Sequence, residues 1–200
     1  HRHGACGSPR ALRSTAPVHG LDVPAHVLVT GASSGIGLAM VDALLGNPTV
    51  ARVFAVSRTA SDSEALSALQ ARHGARLQPV SADLTTDAGL DAIVGGVRTG
   101  GDDLHLVVNC AGVLHGDGLR PEKSLATLDR DALERSFALN AFAPVLLVRA
   151  LLPLLTPNAP RVVASLSARV GSIGDNRLGG WYAYRAAKAA QNQLLRTLAT

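Results

Sequence analysis

Aromatic residues are scarce in this chain: three Phe, two Tyr and one Trp in 200 positions. A surface that stacks nucleic-acid bases needs aromatics interleaved with a basic stripe. Neither is present; the net charge is only +4, and several arginines fall within the first fifteen residues. Cysteine is scarce too. Cys6 lies in a tail and Cys110 ends an apolar run, so the two make no disulfide framework. Long hydrophobic runs are missing. The longest, 141–155, is broken by Pro144, Arg149 and Pro153 and reads as too short and too interrupted to span a bilayer. No His, Cys, Asp and Glu set has metal-ligand spacing, so no metal is expected. What remains is a cytoplasmic, reducing compartment by default, with neither nucleic acid nor membrane as a partner.

What is present points to a packed domain. The chain is 47% hydrophobic and 17% charged, which excludes disorder, and Ala, Val, Leu and Gly dominate. That mixture suits buried parallel strands covered by Ala/Leu-rich helices. Residues 1–23 carry Arg2, Arg10 and Arg13 with no acid before Asp22, and the first residue is His1 rather than Met. A transit peptide shares this composition, but a fragment edge or an untidy gene start is the preferred reading. Residues 1–23 are therefore taken as a disordered or non-native tail and 24–200 as one domain.

Apolar runs and helical spacings alternate along the domain. Strands are predicted at 26–30, 50–57, 76–81, 104–109 and 161–166. Helices are predicted at 37–45, 61–73, 86–97, 129–155 (bent at Pro144) and 181–200, with Gly-rich loops at 110–121 and 168–180. This alternation demands parallel pairing with right-handed crossovers, a doubly wound α/β sheet of the Rossmann type. The ligand crevice then lies beyond the carboxyl ends of the strands, where strand order reverses.

Two motifs carry chemistry. Thr30-Gly31-Ala32-Ser33-Ser34-Gly35-Ile36-Gly37 follows the first strand and opens a helix. Gly31 permits a tight turn, Gly35 lets a pyrophosphate approach the backbone, and Gly37 allows close helix packing. Exposed N–H groups and the helix dipole favour phosphate there. After the second strand an acid would bind the ribose 2′-hydroxyl of NAD. The chain has Ser57-Arg58 instead, with no acid before Asp62, and Arg58 with Ser57 suits the 2′-phosphate of NADP; NAD is the less favoured cofactor. Tyr184 and Lys188, four apart, share one helical face. An ammonium about 4 Å from a phenol, at an effective dielectric near 20, is worth roughly 4 kcal/mol toward phenolate and brings tyrosine into range for general acid–base work.

Over residues 25–200 the chain resembles the short-chain dehydrogenase/reductase superfamily. The T-G-x-x-x-G-I-G loop at 30–37 matches, and Ala82-Asp83-Leu84 is similar to the segment that contacts adenine. Asn109-Cys110-Ala111-Gly112 is similar to the family's N-N-A-G, with Cys in second place. Gly171 to Asn176 and Gly179 to Arg185 look like the subgroup of bacterial C-factor and sniffer-type carbonyl reductases. The resemblance implies that Tyr184 protonates a carbonyl oxygen and that Lys188 lowers its pKa and binds the nicotinamide ribose. It further implies that Asn140 holds a proton-relay water and that the pro-S hydride is transferred. Cofactor contacts are then expected from Thr30, Gly31, Ser33, Ser34, Gly35, Ile36, Gly37, Ser57, Arg58, Asp83, Leu84, Asn109, Ala111, Gly112, Tyr184 and Lys188. The substrate is a small carbonyl compound or alcohol, and a homo-oligomer paired through helices 129–155 and 181–200 is expected of the full-length form.

Two departures stand out. The family's Ser-Ser pair after the fifth strand reads Ser167-Ala168 here, so the serine role falls to Ser167, with Ser172 as the alternative. A further strand, a substrate-covering segment and a final strand are not in the chain, which reads as a fragment or truncated gene product with an exposed sheet edge. A cofactor-binding or signalling protein without turnover is the rival reading. A sugar-nucleotide epimerase or dehydratase fits less well, because such enzymes have G-x-x-G-x-x-G. His105 reads as structural, His115 and Asp117 as a solvated loop, and Trp181 either shapes the substrate entrance or packs on the last helix.

Overall fold

The three inner strands of the domain are short apolar runs whose alternate side chains enter two separate core layers. Val27 and Val29 of β1 (Ala25–Thr30) lie in one layer and Leu28 in the other. Val53 and Ala55 of β2 (Val50–Ser57) face Phe54 and Val56 across the sheet in the same way, as do Leu106 and Val108 against Val107 in β4 (Leu106–Asn109). This period of two with both faces apolar is what a parallel sheet covered on both sides requires. The structure, a computed structural model, describes residues 24–100, 103–116, 118–155 and 160–200. With β3 (Leu77–Ser81) and β5 (Val162–Ser165), the five strands form one parallel sheet in the order β3-β2-β1-β4-β5.

Helices cover both faces. Val41, Leu44 and Leu45 of α1 (Gly35–Leu45) and Leu66 and Leu69 of α2 (Glu64–His73) fill the first layer. Leu90, Ile93 and Val97 of α3 (Asp87–Thr99) fill the second, together with Leu147 and Leu151 of α5 (Ala143–Leu151). Each such side chain contributes about 1.5–3 kcal/mol on burial. Serine and threonine set the helix starts, as Ser63 Oγ accepts from Leu66 N–H and Thr86 Oγ1 from Gly89 N–H, each cap worth about 1 kcal/mol.

The sequence predicts one helix over 129–155 bent at Pro144. The structure instead has α4 (Arg130–Phe137), a π-helical segment (Ala138–Phe142), α5 and a 3₁₀ turn at Leu152–Leu154. Pro144 has no N–H to give to the carbonyl of Asn140 four residues back. Ala143 N–H donates to Ala138, five residues back, and the widened turn carries the helix past the proline. The helical run is therefore continuous over 130–154, long and apolar enough to cross a membrane by length and composition, contrary to the expectation from its interruptions. Its apolar side chains Ala143, Leu147 and Leu151 are spent on the core of this fold.

Strand ends are shorter than predicted on the β4–β5 side. Leu104 makes only an isolated bridge to Leu155, and His105 turns to the neighbouring strand. His105 N–H donates to His26 O at 3.0 Å, and His26 N–H donates to His105 Nδ1 at 3.2 Å. The two imidazoles meet edge-on with centroids 5.9 Å apart. Burial, and then the neighbouring His26, push the His105 pKa down, against a smaller opposing pull from Asp103. This pair closes the amino end of the β1–β4 seam, the end opposite the glycine loop. Among the described residues β5 pairs only with β4, and its Val162 is 43% exposed.

Candidate active site

The strand register sets a polar row at the carboxyl end of the sheet. Thr30 pairs with Asn109, and Asn109 with Ser165, across β1, β4 and β5. Thr30 Oγ1 donates to Asn109 Oδ1, and Asn109 Nδ2 donates to Ser165 Oγ at 2.9 Å. Ala111 N–H returns to Thr30 Oγ1 at 3.3 Å, tying the loop after β4 to the glycine loop. The two loops meet where strand order reverses.

Gly31 has φ +65°, and a Cβ there would stand 2.9 Å from Ala111 N. Gly37 is closed in more tightly: a Cβ would stand 2.1 Å from the Gly31 carbonyl oxygen. The sequence predicts that Gly37 serves packing on the sheet; the contact is with the loop's own backbone. A Cβ at Gly35 would have no neighbour within 4 Å, so its backbone faces open space. Ser34, the N-cap of α1, makes no side-chain cap bond, and no acid lies in the first turn. The first N–H groups of α1 thus have no bond from the N-cap side chain and no acid within their own turn. Ser33, Ser34 and Ile36 are exposed or partly exposed around this opening.

Beyond β2, Ser57 Oγ is buried without a hydrogen-bond partner among the described residues. Arg58 stands near enough to Asp83 to act on its charge. The Asp83 carboxylate accepts from Thr85 Oγ1 at 2.7 Å and Thr85 N–H at 2.9 Å. These bonds, with a smaller contribution from Arg58, hold its pKa below the usual value. Leu84 is buried beside it.

Tyr184 and Lys188 lie on α6 (Tyr182–Leu198). The Lys188 side chain is 3% exposed, and its Nζ donates to Leu166 O and to Gln191 Oε1, both at 2.9 Å. The ammonium sits 5.7 Å from the centre of the Tyr184 ring. Burial pushes the Tyr184 phenol up and the Lys188 ammonium down. Burial thus acts on the phenol against the drop expected from a nearby lysine, and the ammonium is committed to two neutral acceptors.

Asn140, fully buried in the π segment, uses its whole side chain to hold the loop after β4. Its Oδ1 accepts from Val113 N–H at 3.0 Å, while Nδ2 donates to Val113 O at 2.8 Å and to Ser136 Oγ at 3.3 Å. Gly112 lies between Asn140 and the lysine: a Cβ there would stand 3.0 Å from Asn140 Oδ1 and 3.6 Å from Lys188 Nζ. Ser167 Oγ donates to Asn192 Oδ1 at 2.6 Å, which turns it to the flank of α6. Ser172 is exposed after a 3₁₀ turn at Arg169–Gly171. The loop ahead of α6 is latched by Arg185, which donates to Gly180 O at 3.0 Å and Val170 O at 3.4 Å. Trp181 adopts a left-handed φ of +52° and donates its N–H to Glu122 O at 2.6 Å. Tyr184 borders a small cavity with Val113, Leu114, Glu122 and Ser136. His115 is exposed, and Asp117 and Cys6 lie outside the described residues. Cys110 is half-buried, and burial pushes its thiol up.

A protein-family model described as short chain dehydrogenase matches residues 25–200. The chain belongs to the short-chain dehydrogenase family. C-signal of Myxococcus xanthus is 40% identical over 77 residues, 38% of this chain and 46% of that protein. The crystal structure of a carbonyl reductase from Pseudomonas aeruginosa PAO1 in complex with NADP is 33% identical, with a TM-score of 0.74, covering 87% of this chain and 74% of that one. Carbonyl reductase Sniffer of D. melanogaster is 26% identical with a TM-score of 0.78, covering 88% and 74%. The chain spans about half the length, 46%, of the first curated relatives it matches.

The residues present fit the nicotinamide dinucleotide that a short-chain dehydrogenase uses. The uncapped start of α1 offers N–H groups to a pyrophosphate. The partnerless Ser57 hydroxyl, beside Arg58, offers a donor at the adenosine end. Sequence reasoning missed Ser165, Gln191 and Asn192. Their signal was slight: a serine inside a strand, and two amides in a helix that read as polar surface.

Proposed function

We propose that this chain is an NADP(H)-dependent oxidoreductase that interconverts a carbonyl and an alcohol, with Tyr184 as general acid and base. The observation that carries the proposal is the continuity of the polar row: Thr30 at the glycine loop is hydrogen-bonded through Asn109 and Ser165 to the helix that bears Tyr184 and Lys188. A cofactor on that loop is thereby joined to the proton-transfer pair by one rigid scaffold. The cofactor, when bound, supplies or accepts the hydride.

The protein's own residues do the rest. The first turn of α1 binds phosphate through its N–H groups. Arg58 and Ser57 take the 2′-phosphate, a charge-assisted contact that NAD lacks. Asp83 and Leu84 border the adenine, and Ala111 and Gly112 line the path toward the nicotinamide. Tyr184 gives its phenolic proton to the carbonyl oxygen in reduction and takes it back in oxidation. Lys188 stabilises the phenolate that remains and then passes it a proton. Asn140, whose carbonyl receives no N–H from Pro144, holds a water that returns a proton from solvent to Lys188. Ser167 polarises the carbonyl once its hydroxyl swings from Asn192 toward the substrate. The NADP complex of the Pseudomonas reductase supports the cofactor assignment. Pairing of two copies through the 130–151 run and α6 is part of the same proposal.

The test is cofactor affinity. Wild type is expected to bind NADPH at least tenfold more tightly than NADH, and Arg58→Ala to erase the difference. Equal affinities in the wild type would overturn the NADP assignment. A second reading, a cofactor-binding protein without turnover, draws on Ala168 in place of the second serine and on the hydrogen bond that occupies Ser167. NADPH oxidation with a panel of aldehydes and ketones separates the two.

A further inference from the structure

Gln191 is fully buried, one turn beyond Ala187 on the face of α6 turned to the sheet. A buried amide without partners costs free energy, so its place there needs a reason. Each polar atom of its side chain is matched. Oε1 accepts from Lys188 Nζ at 2.9 Å, and Nε2 donates to Ser165 Oγ at 2.6 Å and to Leu166 O at 3.3 Å. An ammonium only donates, so the carbonyl end of the amide must face Lys188 and the NH2 end must face β5. Beyond the amide, Ser165 Oγ also accepts from Asn109 Nδ2, and Asn109 Oδ1 accepts from Thr30 Oγ1. The orientation of the Gln191 amide is fixed by the charged group it faces.

We propose that Gln191 is a positioning residue that holds the Lys188 ammonium in place beside Tyr184 and so tunes the proton-transfer pair, an inference that rests on the Tyr184–Lys188 assignment above. A neutral acceptor is the chemistry this task needs. It compensates the ammonium for its burial, so the lysine keeps its charge, yet adds no negative charge to cancel the field at the phenol. A carboxylate in the same place would cancel it. An aliphatic side chain would leave the ammonium one acceptor short. The other ionisable groups bordering Tyr184 are Arg120 and Glu122 on the loop after β4 and Arg185 on α6, and they are unchanged in every variant compared below.

The test needs no substrate. The chain has two tyrosines, so in a Tyr182→Phe background Tyr184 is the only phenol and its ionisation is read directly by ultraviolet absorbance against pH. Gln191→Glu, close to isosteric, and Gln191→Leu are each compared with the background, with and without Lys188→Met. Either Gln191 variant alone is expected to raise the midpoint of phenol ionisation by about one pH unit when Lys188 is present, and to leave it unchanged when Lys188 is Met. An equal shift in both backgrounds, or none when Lys188 is present, overturns the inference. Should Lys188→Met itself leave the phenol unmoved, the Tyr184–Lys188 assignment fails; should it move the phenol while both Gln191 variants do not, only the role of Gln191 fails. If Gln191→Leu does not fold, Gln191→Glu decides by the same criterion. If neither folds, Ser165→Ala, which frees the amide's far end, must give a smaller shift of the same sign that vanishes with Lys188→Met, or the inference is wrong.

Discussion

The two ends of the β1–β4 seam obey one rule and come to opposite results. At the amino end, His26 N–H donates to His105 Nδ1 and His105 N–H to His26 O, and burial pushes the His105 pKa down. At the carboxyl end, Thr30, Asn109, Ser165 and Gln191 form a row of neutral donors and acceptors that ends in a buried ammonium. Both ends satisfy their buried polar groups, as packed interiors must. The difference is what the bonds are for. The histidine pair closes the sheet; the amide row holds a buried charge. Buried polar residues across the same two strands therefore mark a staple at one end and a site at the other, and the presence of a charge distinguishes them.

The comparison sharpens most on substitution of Lys188. Lys188→Met removes the charge and leaves Gln191 Oε1 without its donor, while Leu166 O keeps only the bond from Gln191 Nε2. Turnover is expected to fall by about 10²–10⁴, the usual worth of a positioned acid–base pair, as measured by steady-state NADPH oxidation. Gly37→Ala comes next. A Cβ 2.1 Å from the Gly31 oxygen forces the loop open, so NADPH affinity should drop at least about tenfold and stability by roughly 1–3 kcal/mol, checked by fluorescence titration and denaturant unfolding.

The smallest effect belongs to the amino end. The folded chain favours neutral His105, whose pKa lies below its ordinary value of 6.5. The stability this gives is complete above that pH and is lost as the pH falls through it, because protonated Nδ1 can no longer accept from His26 N–H. The melting temperature should decline on acidification below about 6.5, and His105→Gln should flatten that decline without changing NADPH affinity. A change in affinity would mean that the two ends are not independent.

Much of this was legible in the sequence because the signals are local. Alternation of Val27, Leu28 and Val29 announces a strand buried on both faces, and the glycines at 31, 35 and 37 announce a tight strand-to-helix turn. The spacing of Tyr184 and Lys188 places both on one helical face. What escaped depends on partners distant in sequence. The π segment arises because the chain stays helical past Pro144, whereas the proline alone suggests a bend. Gln191 and Asn192 look like solvated amides until β5 is set against α6. Ser165 gains its role from register with Asn109. Helical spacing gives Tyr184 and Lys188 a shared face, and the bonds to Leu166 and Gln191 decide where on that face the ammonium rests.

Conversion of a carbonyl by Tyr184 is the central claim, and NADPH-dependent reduction by the wild type and Tyr184→Phe tests it most directly. Wild type should oxidise NADPH with at least one aldehyde or ketone of a broad panel, forming alcohol in equal amount. Tyr184→Phe should bind NADPH as tightly yet turn over about 10²-fold more slowly or worse. NADPH binding with no turnover on any carbonyl, or full turnover without the phenol, would contradict the account.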